Sequence, residues 1–270
     1  MNKILYIKDY CLFLFDNGNI KKIHDNVQMS LKNNNKYLIF KSNDGIFVFG
    51  SDKIEKLNID QKLLIYNLSF AIDSSKKIVF SDGTNIYSLK NSIIYSISGH
   101  DELIEKLDWL DNNNILLTLE EYDNPYFVYE RLKISAEKTI EYKRKNGNYI
   151  IRDKYIYFYD RFGIYICEKL TGKIITYFNF PIVSFDISYD EKLAVFSTKD
   201  KIIILNVETQ TPQKEIYIDN VIDINLSFDK KYLLIKKREN DFYAAIKIVD
   251  INTETIIDFI FNVDFICWII

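Results

Sequence analysis

Residues 184–218, SFDISYDEKLAVFSTKDKIIILNVETQTPQKEIYI, hold four short apolar runs separated by polar turns. SFDIS, KLAVF and IIILN are rich in Ile, Val, Leu and Phe and too short to be helices, and KEIYI alternates polar with apolar residues as a half-exposed strand does. The segments between them carry Asp, Lys, Thr and Pro, the residues that end strands and start turns. The stretch reads as four strands, a to d, laid antiparallel by short connections.

The same order recurs along the chain. Aligned on strand b, the segments are KNNNKYLIF ending at Phe40, DSSKKIVF at Phe80, DNNNILLTL at Leu119, RDKYIYFY at Tyr159, YDEKLAVF at Phe196 and FDKKYLLI at Ile235. They lie roughly 37 to 40 residues apart, the period of a four-stranded propeller blade. VQMSL, LSFAI, KLDWL, GNYII, SFDIS and DINLS precede them as strands a. GIFVFG, NIYSLK, YFVYERL, GIYICEKL, IIILNVET and AIKIVDI follow as strands c, and KIEKLNI, IIYSISG, TIEYKR, KIITYF, KEIYI and IIDFIF as strands d. ELIEKLDWL at 102–110 has some helical spacing, but its place in the repeat makes it a strand.

What lies outside the six units completes the reading. Residues 3–24 supply KILYIK, YCLFLF and NIKKIH with no strand before them, and 263–270 supply VDFICWII with none after. Three strands plus one make a seventh blade, in which the C-terminal strand pairs with the N-terminal three and removes the open edges of the array. The expected fold is therefore all-β: one domain over 1–270, a seven-bladed β-propeller of four-stranded blades. Inner strands should be almost continuously apolar and outer strands alternating.

Composition agrees with an ordered core: 48% hydrophobic, 27% charged and 15% aromatic residues over 270 positions. Gly (8) and Pro (3) are scarce, so Asn and Asp turn the chain, as at Asn17-Gly18, Asp44-Gly45, Asp82-Gly83 and Asn146-Gly147. A formal charge of −3 does not suit a protein that coats nucleic acid or an anionic membrane. Cys11, Cys167 and Cys267 are odd in number and lack metal-ligand spacing, so they read as small buried hydrophobes in a reducing compartment. The N-terminal apolar run is cut by Lys8 and Asp9 and has no cleavage site, and no run reaches a membrane span, so a cytoplasmic, monomeric protein is expected.

One unit carries more than the general pattern. SGHDELIEKLDWLDNNNILLTLEEYDNPYFVYE at 98–130 resembles a WD repeat. Gly99-His100 match its Gly-His, Ile104, Leu107 and Trp109 its apolar offsets, Thr118 its strand-b hydroxyl, Asp123 its turn Asp and Tyr129-Glu130 its terminal dipeptide. IKIVDINTETIIDF at 246–259, IYICEKLTGKIITYF at 164–178 and IIILNVETQ at 202–210 look like strands c and d of the same family. The resemblance implies that His100, Thr118, Asp123 and Tyr129 form a buried structural network rather than a catalytic triad.

Two histidines, His24 and His100, exclude a histidine-cluster site, and His24 reads as a loop residue. Asp turns such as SYDEK lack the Gly and Trp of an Asp box, no Phe-Arg-Arg-Gly motif for phosphoinositides is present, and Gly-rich phosphate loops are missing. No catalytic residue, metal ligand or cofactor is assigned. The d–a and b–c connections share one face of such a fold, and that face would gather Lys143, Arg144, Lys145, Arg161, Lys199, Lys201, Lys236, Lys237 and Arg238, with Glu120, Glu121 and Tyr122 beside them. A face basic over some blades and acidic over one suits docking with a protein or peptide; solvated turns are the alternative. Asn33–Asn35 and Asn112–Asn114 fall on the opposite face. The expected function is a non-catalytic protein-interaction module, scaffold, adaptor or inhibitor in type. A lactonase-like or hydrolase-like propeller with a carboxylate-bound metal is the alternative, drawing on Asp108, Asp186, Asp223 and Asp264 of strands a, which also suit blade-to-blade hydrogen bonds.

Overall fold

A computed structural model describes residues 3–16, 18–34, 36–63, 68–90, 92–97, 102–111, 113–121, 126–133, 137–145, 148–239, 244–256, 260–261 and 263–269. Side chains are described throughout these except at 33, 61, 102, 121, 126–133, 137–145 and 260–261.

The chain is all-β. It begins with β1 (Lys3–Lys8), β2 (Cys11–Asp16) and β3 (Asn19–His24). Three blades of four consecutive strands follow: β4 (Val27–Asn33), β5 (Tyr37–Ser42), β6 (Gly45–Gly50) and β7 (Lys53–Lys56); β8 (Ser69–Ile72), β9 (Ile78–Ser81), β10 (Asn85–Ser88) and β11 (Ile93–Ser96); β12 (Glu102–Trp109), β13 (Asn114–Glu121), β14 (Tyr126–Lys133) and β15 (Glu137–Lys145). Three more are β16 (Asn148–Ile151), β17 (Tyr155–Asp160), β18 (Gly163–Glu168) and β19 (Ile174–Asn179); β20 (Ser184–Ile187), β21 (Leu193–Ser197), β22 (Lys201–Asn206) and β23 (Thr211–Tyr217); β24 (Val221–Leu226), β25 (Tyr232–Arg238), β26 (Ala244–Asp250) and β27 (Ile260–Phe261). β28 (Phe265–Ile269) comes last. A 3-10 turn at Gln61–Leu63 is the helical element among the described residues.

A seven-bladed propeller was expected, six blades of consecutive strands and a composite seventh; six blades are built from consecutive strands. The other four strands make a sheet of mixed origin, ordered β28-β1-β2-β3, in which β28 is hydrogen-bonded to β1. The pairings are antiparallel, as short connections demand: Val195 of β21 lies opposite Ile204 of β22, and Leu5 of β1 opposite Leu14 of β2.

The chain divides into two compact units. One spans 1–23 and 148–268 and holds β1, β2, β16–β27 and most of β3 and β28; the other spans 24–147 with 269–270 and holds β4–β15. In each, apolar layers form between successive blades. Val195, Ile202 and Ile204 pack against Val221, Ile224 and Leu233, and Tyr157 and Ile164 against Phe185 and Phe196, in the first unit. Ile39 and Val48 pack against Phe70 and Phe80, and Ala71 and Val79 against Leu107 and Leu117, in the second. A second strand such as β9 or β21 is hydrogen-bonded on both edges and covered on both faces, and its residues are almost all buried. Outer strands β3, β7 and β19 keep most residues accessible. The first strands are less uniformly buried than expected: β16 and β24 carry accessible positions, because a first strand is paired along one edge only. Those positions form the site described next.

Candidate functional site

A cavity of about 360 Å³ opens over the first two strands of three successive blades in one unit, lined by Asn148, Tyr159, Val183, Ser184, Ile222, Asp223 and Lys236. The lining residues sit within a few residues of strand ends. Asn148 starts β16, Tyr159 lies near the end of β17, and Val183 and Ser184 lead into β20. Asp223 of β24 lies opposite Lys236 of β25.

Local irregularity shapes the cavity. The β24–β25 register passes from Val221↔Lys237 to Asp223↔Lys236, leaving Ile222 as an extra, unpaired residue. Such a bulge turns a side chain out of the pleat, and Ile222 is 38% exposed and Val183 46% in consequence of their place at the mouth. Below them Asp223 is held by neutral donors. Ser184 Oγ donates to Oδ1 at 2.8 Å, the Ile224 amide to the same oxygen at 2.9 Å, and Asn225 Nδ2 to Oδ2 at 3.2 Å. The Ile224 amide also donates to Ser184 Oγ at 3.1 Å, tying β20 to β24. Burial holds the Asp223 carboxyl above the usual carboxylate range, against those hydrogen bonds and the nearby Lys236 charge. Burial, with the fields of Asp223 and Asp186, raises the Tyr159 phenol far above its ordinary value, and the Ser184 hydroxyl opposes the shift. Lys236 Nζ donates to the Asp264 carbonyl at 3.4 Å.

The other first-strand acids are engaged in holding elements together. Asp186 accepts from Arg152 Nη2 at 2.8 Å, from its neighbour Ile187 N at 2.7 Å and, across to β24, from Leu226 N at 2.7 Å. Asp108 pairs with Lys32, joining β12 to β4. Asp264 is exposed, and its amide donates to the Ile7 carbonyl at 3.0 Å. Among the described residues no three His, Cys, Asp or Glu side chains are grouped as metal ligands.

The expected rim residues fall in both units. Arg161 is exposed in the β17–β18 turn with its guanidinium 4.7 Å from the Phe162 ring centre, and Lys199 is exposed in the β21–β22 turn. Lys201, Lys236, Lys237 and Arg238 sit on strands rather than in connections. Lys201 Nζ pairs with Glu215 at 2.8 Å, and Lys237 Nζ with Asp219 at 3.1 Å and Glu239 at 3.6 Å. Arg238 is exposed. These six share one unit, near the ends of β17, β21 and β25 or the starts of their partners. In the other unit, Lys143, Arg144 and Lys145 lie on the last residues of outer strand β15, opposite Val128, Phe127 and Tyr126, not in the connection expected from sequence. Glu120 is exposed near the end of β13, and Glu121 is its last residue.

Tyr122, His100 and Asp123 lie outside the described residues. Thr118 is buried on β13 opposite Tyr129, which falls in mid-strand rather than at the end of β14. The Thr118 hydroxyl has no hydrogen-bond partner among the described residues.

Asn148, Tyr159, Val183, Ser184 and Ile222 were not singled out from sequence. Ile222 carried a weak signal, a large apolar residue beside the acid Asp223 of a strand a, but the bulge that exposes it depends on the register with β25. Among the described residues no helix is long and apolar enough to cross a membrane. Compared with family models and with curated proteins, the chain matches none.

Proposed function

We propose that the chain is a non-catalytic protein-interaction module that docks a protein or peptide partner on the blade ends around the cavity. The observation that carries the reading is the pair Val183 and Ile222, aliphatic side chains left open to solvent at the mouth of a concave site. Water is displaced favourably from such a pair by a complementary surface. Arg161, Lys199, Lys236 and Arg238 supply charge in the same unit, with Lys201 and Lys237 partly neutralised by their carboxylate partners. Affinity capture from the source organism with wild-type protein and with a Val183→Glu, Ile222→Glu double variant tests it. The variant should lose the captured partner while melting like wild type, and equal capture by both would remove the docking reading.

The finer architecture belongs to the same proposal: the β28-β1-β2-β3 sheet acts as a seventh blade of WD type. A buried Thr118 hydroxyl without a described partner supports it, since the WD network would supply His100 and Asp123 there. His100→Ala should then cost about 1–3 kcal/mol, the penalty of buried polar groups left unmatched. Chemical denaturation measures this, and an unchanged midpoint would remove the network.

A further inference from the structure

The cavity holds one charge of each sign, near each other but with no hydrogen bond between them among the described contacts. Asp223 and Lys236 are cross-strand neighbours, yet the carboxylate takes its hydrogen bonds from Ser184, Ile224 and Asn225, and the ammonium donates to the Asp264 carbonyl. Asp223 Oδ2 receives only the longer amide bond from Asn225 among its described contacts, so it keeps capacity for a charged donor. Asn148 adds an amide at the rim, and Val183, Ile222 and the Tyr159 ring supply apolar wall.

Charge signs narrow the occupant. A lone cation placed on Asp223 would meet Lys236, and a lone anion placed on Lys236 would meet Asp223. Only a molecule carrying both charges close together gains at both points, through charge-assisted hydrogen bonds in a partly desolvated site. The volume of about 360 Å³ lies at the small end of ligand pockets and admits a small amphiphile. We infer that this cavity is a receptor site for a free aliphatic α-amino acid, its ammonium on Asp223, its carboxylate on Lys236 and its side chain between Val183 and Ile222. The inference does not depend on protein docking, because it concerns a small molecule binding to the chain alone.

Titration calorimetry on the full chain decides it with L-leucine, L-valine and L-methionine as probes, beside N-acetyl-L-leucine and L-leucinamide. At least one free amino acid should bind one to one, and blocking either end of leucine should weaken it by about tenfold or more. The variants should split the two ends. Asp223→Asn, which keeps an acceptor for Ser184 and Ile224, should lose the preference for leucine over the N-acetyl form, and Lys236→Met the preference over the amide. Val183→Trp, which fills the mouth without touching either charge, should abolish binding, and all three variants are first checked for wild-type melting. No saturable heat with any of the three amino acids, equal affinity for the blocked forms, or binding that survives Val183→Trp would each overturn the inference. None of those results bears on capture of a protein partner, which is measured separately.

Discussion

Removal of residues 263–270 is expected to leave a chain that does not fold. β28 is the first strand of the β28-β1-β2-β3 sheet, and without it β1 becomes an unpaired edge although Ile4, Leu5, Tyr6 and Ile7 are buried. The deletion also takes away Val263, Trp268 and Ile269, all buried, and the hydrogen bond from Trp268 Nε1 to the Asn225 carbonyl at 3.1 Å. Val263 and Trp268 pack against Leu234, Ile246 and Ile248 of the preceding blade, so the loss reaches beyond one sheet. At about 1.5–3 kcal/mol for each large apolar side chain, three of them approach the 5–15 kcal/mol that holds a typical domain together. The exposed apolar edge would then favour aggregation. Circular dichroism and size-exclusion chromatography of the truncated chain check this. A soluble monomer melting within a few degrees of the intact protein would contradict the role of β28.

Arg152→Met should be the most damaging single substitution outside the apolar layers, at about 3–5 kcal/mol. Arg152 reaches from the β16–β17 turn to the next blade, where Nη2 meets Asp186 Oδ1 at 2.8 Å and Nε donates to the Ile187 carbonyl at 3.0 Å. Both side chains are largely buried, so removing the guanidinium leaves a carboxylate without its cation in a poorly solvated place. The pH dependence has a definite sign. Burial already raises the Asp186 carboxyl, with Arg152 the chief opposing influence, and losing Arg152 raises it further. A carboxyl whose folded value lies above its unfolded value contributes stability that is present at low pH and lost as pH rises through the folded value. The deficit of Arg152→Met should therefore shrink as pH falls from neutrality toward the ordinary carboxylate range. Denaturant unfolding of both proteins at pH 7 and pH 5 measures it, and a deficit that stays constant or grows at pH 5 would contradict this account of the pair.

The strands were legible because each is a local pattern. KLAVF became β21 and KEIYI the end of β23, and even ELIEKLDWL, with its helical spacing, became β12, since a repeat every 37 to 40 residues outweighs local periodicity. The pairing of VDFICWII with the first three strands was readable as well. An inner strand without a sheet and a sheet without an inner strand leave one arrangement that satisfies their backbone hydrogen bonds. The places of the rim residues were less legible: Lys143, Arg144 and Lys145 look like a polar turn, but β15 extends through them.

The candidate site was only partly visible. Asp186 and Asp223 stood out as acids on first strands, and the sequence by itself left them either as metal ligands or as anchors. Tertiary structure supplied their partners, bringing Arg152 and the Leu226 amide to Asp186 and Ser184 and Asn225 to Asp223. No spacing rule predicts such partners, because they come from blades about 40 residues away or from a neighbour's side-chain direction. The sequence alone determined the strands, their order and which strands face solvent, because alternation and turn chemistry act over a few residues. Only the fold decided which side chains meet at the cavity, because that depends on one bulge at Ile222 and on the packing of three blades against one another.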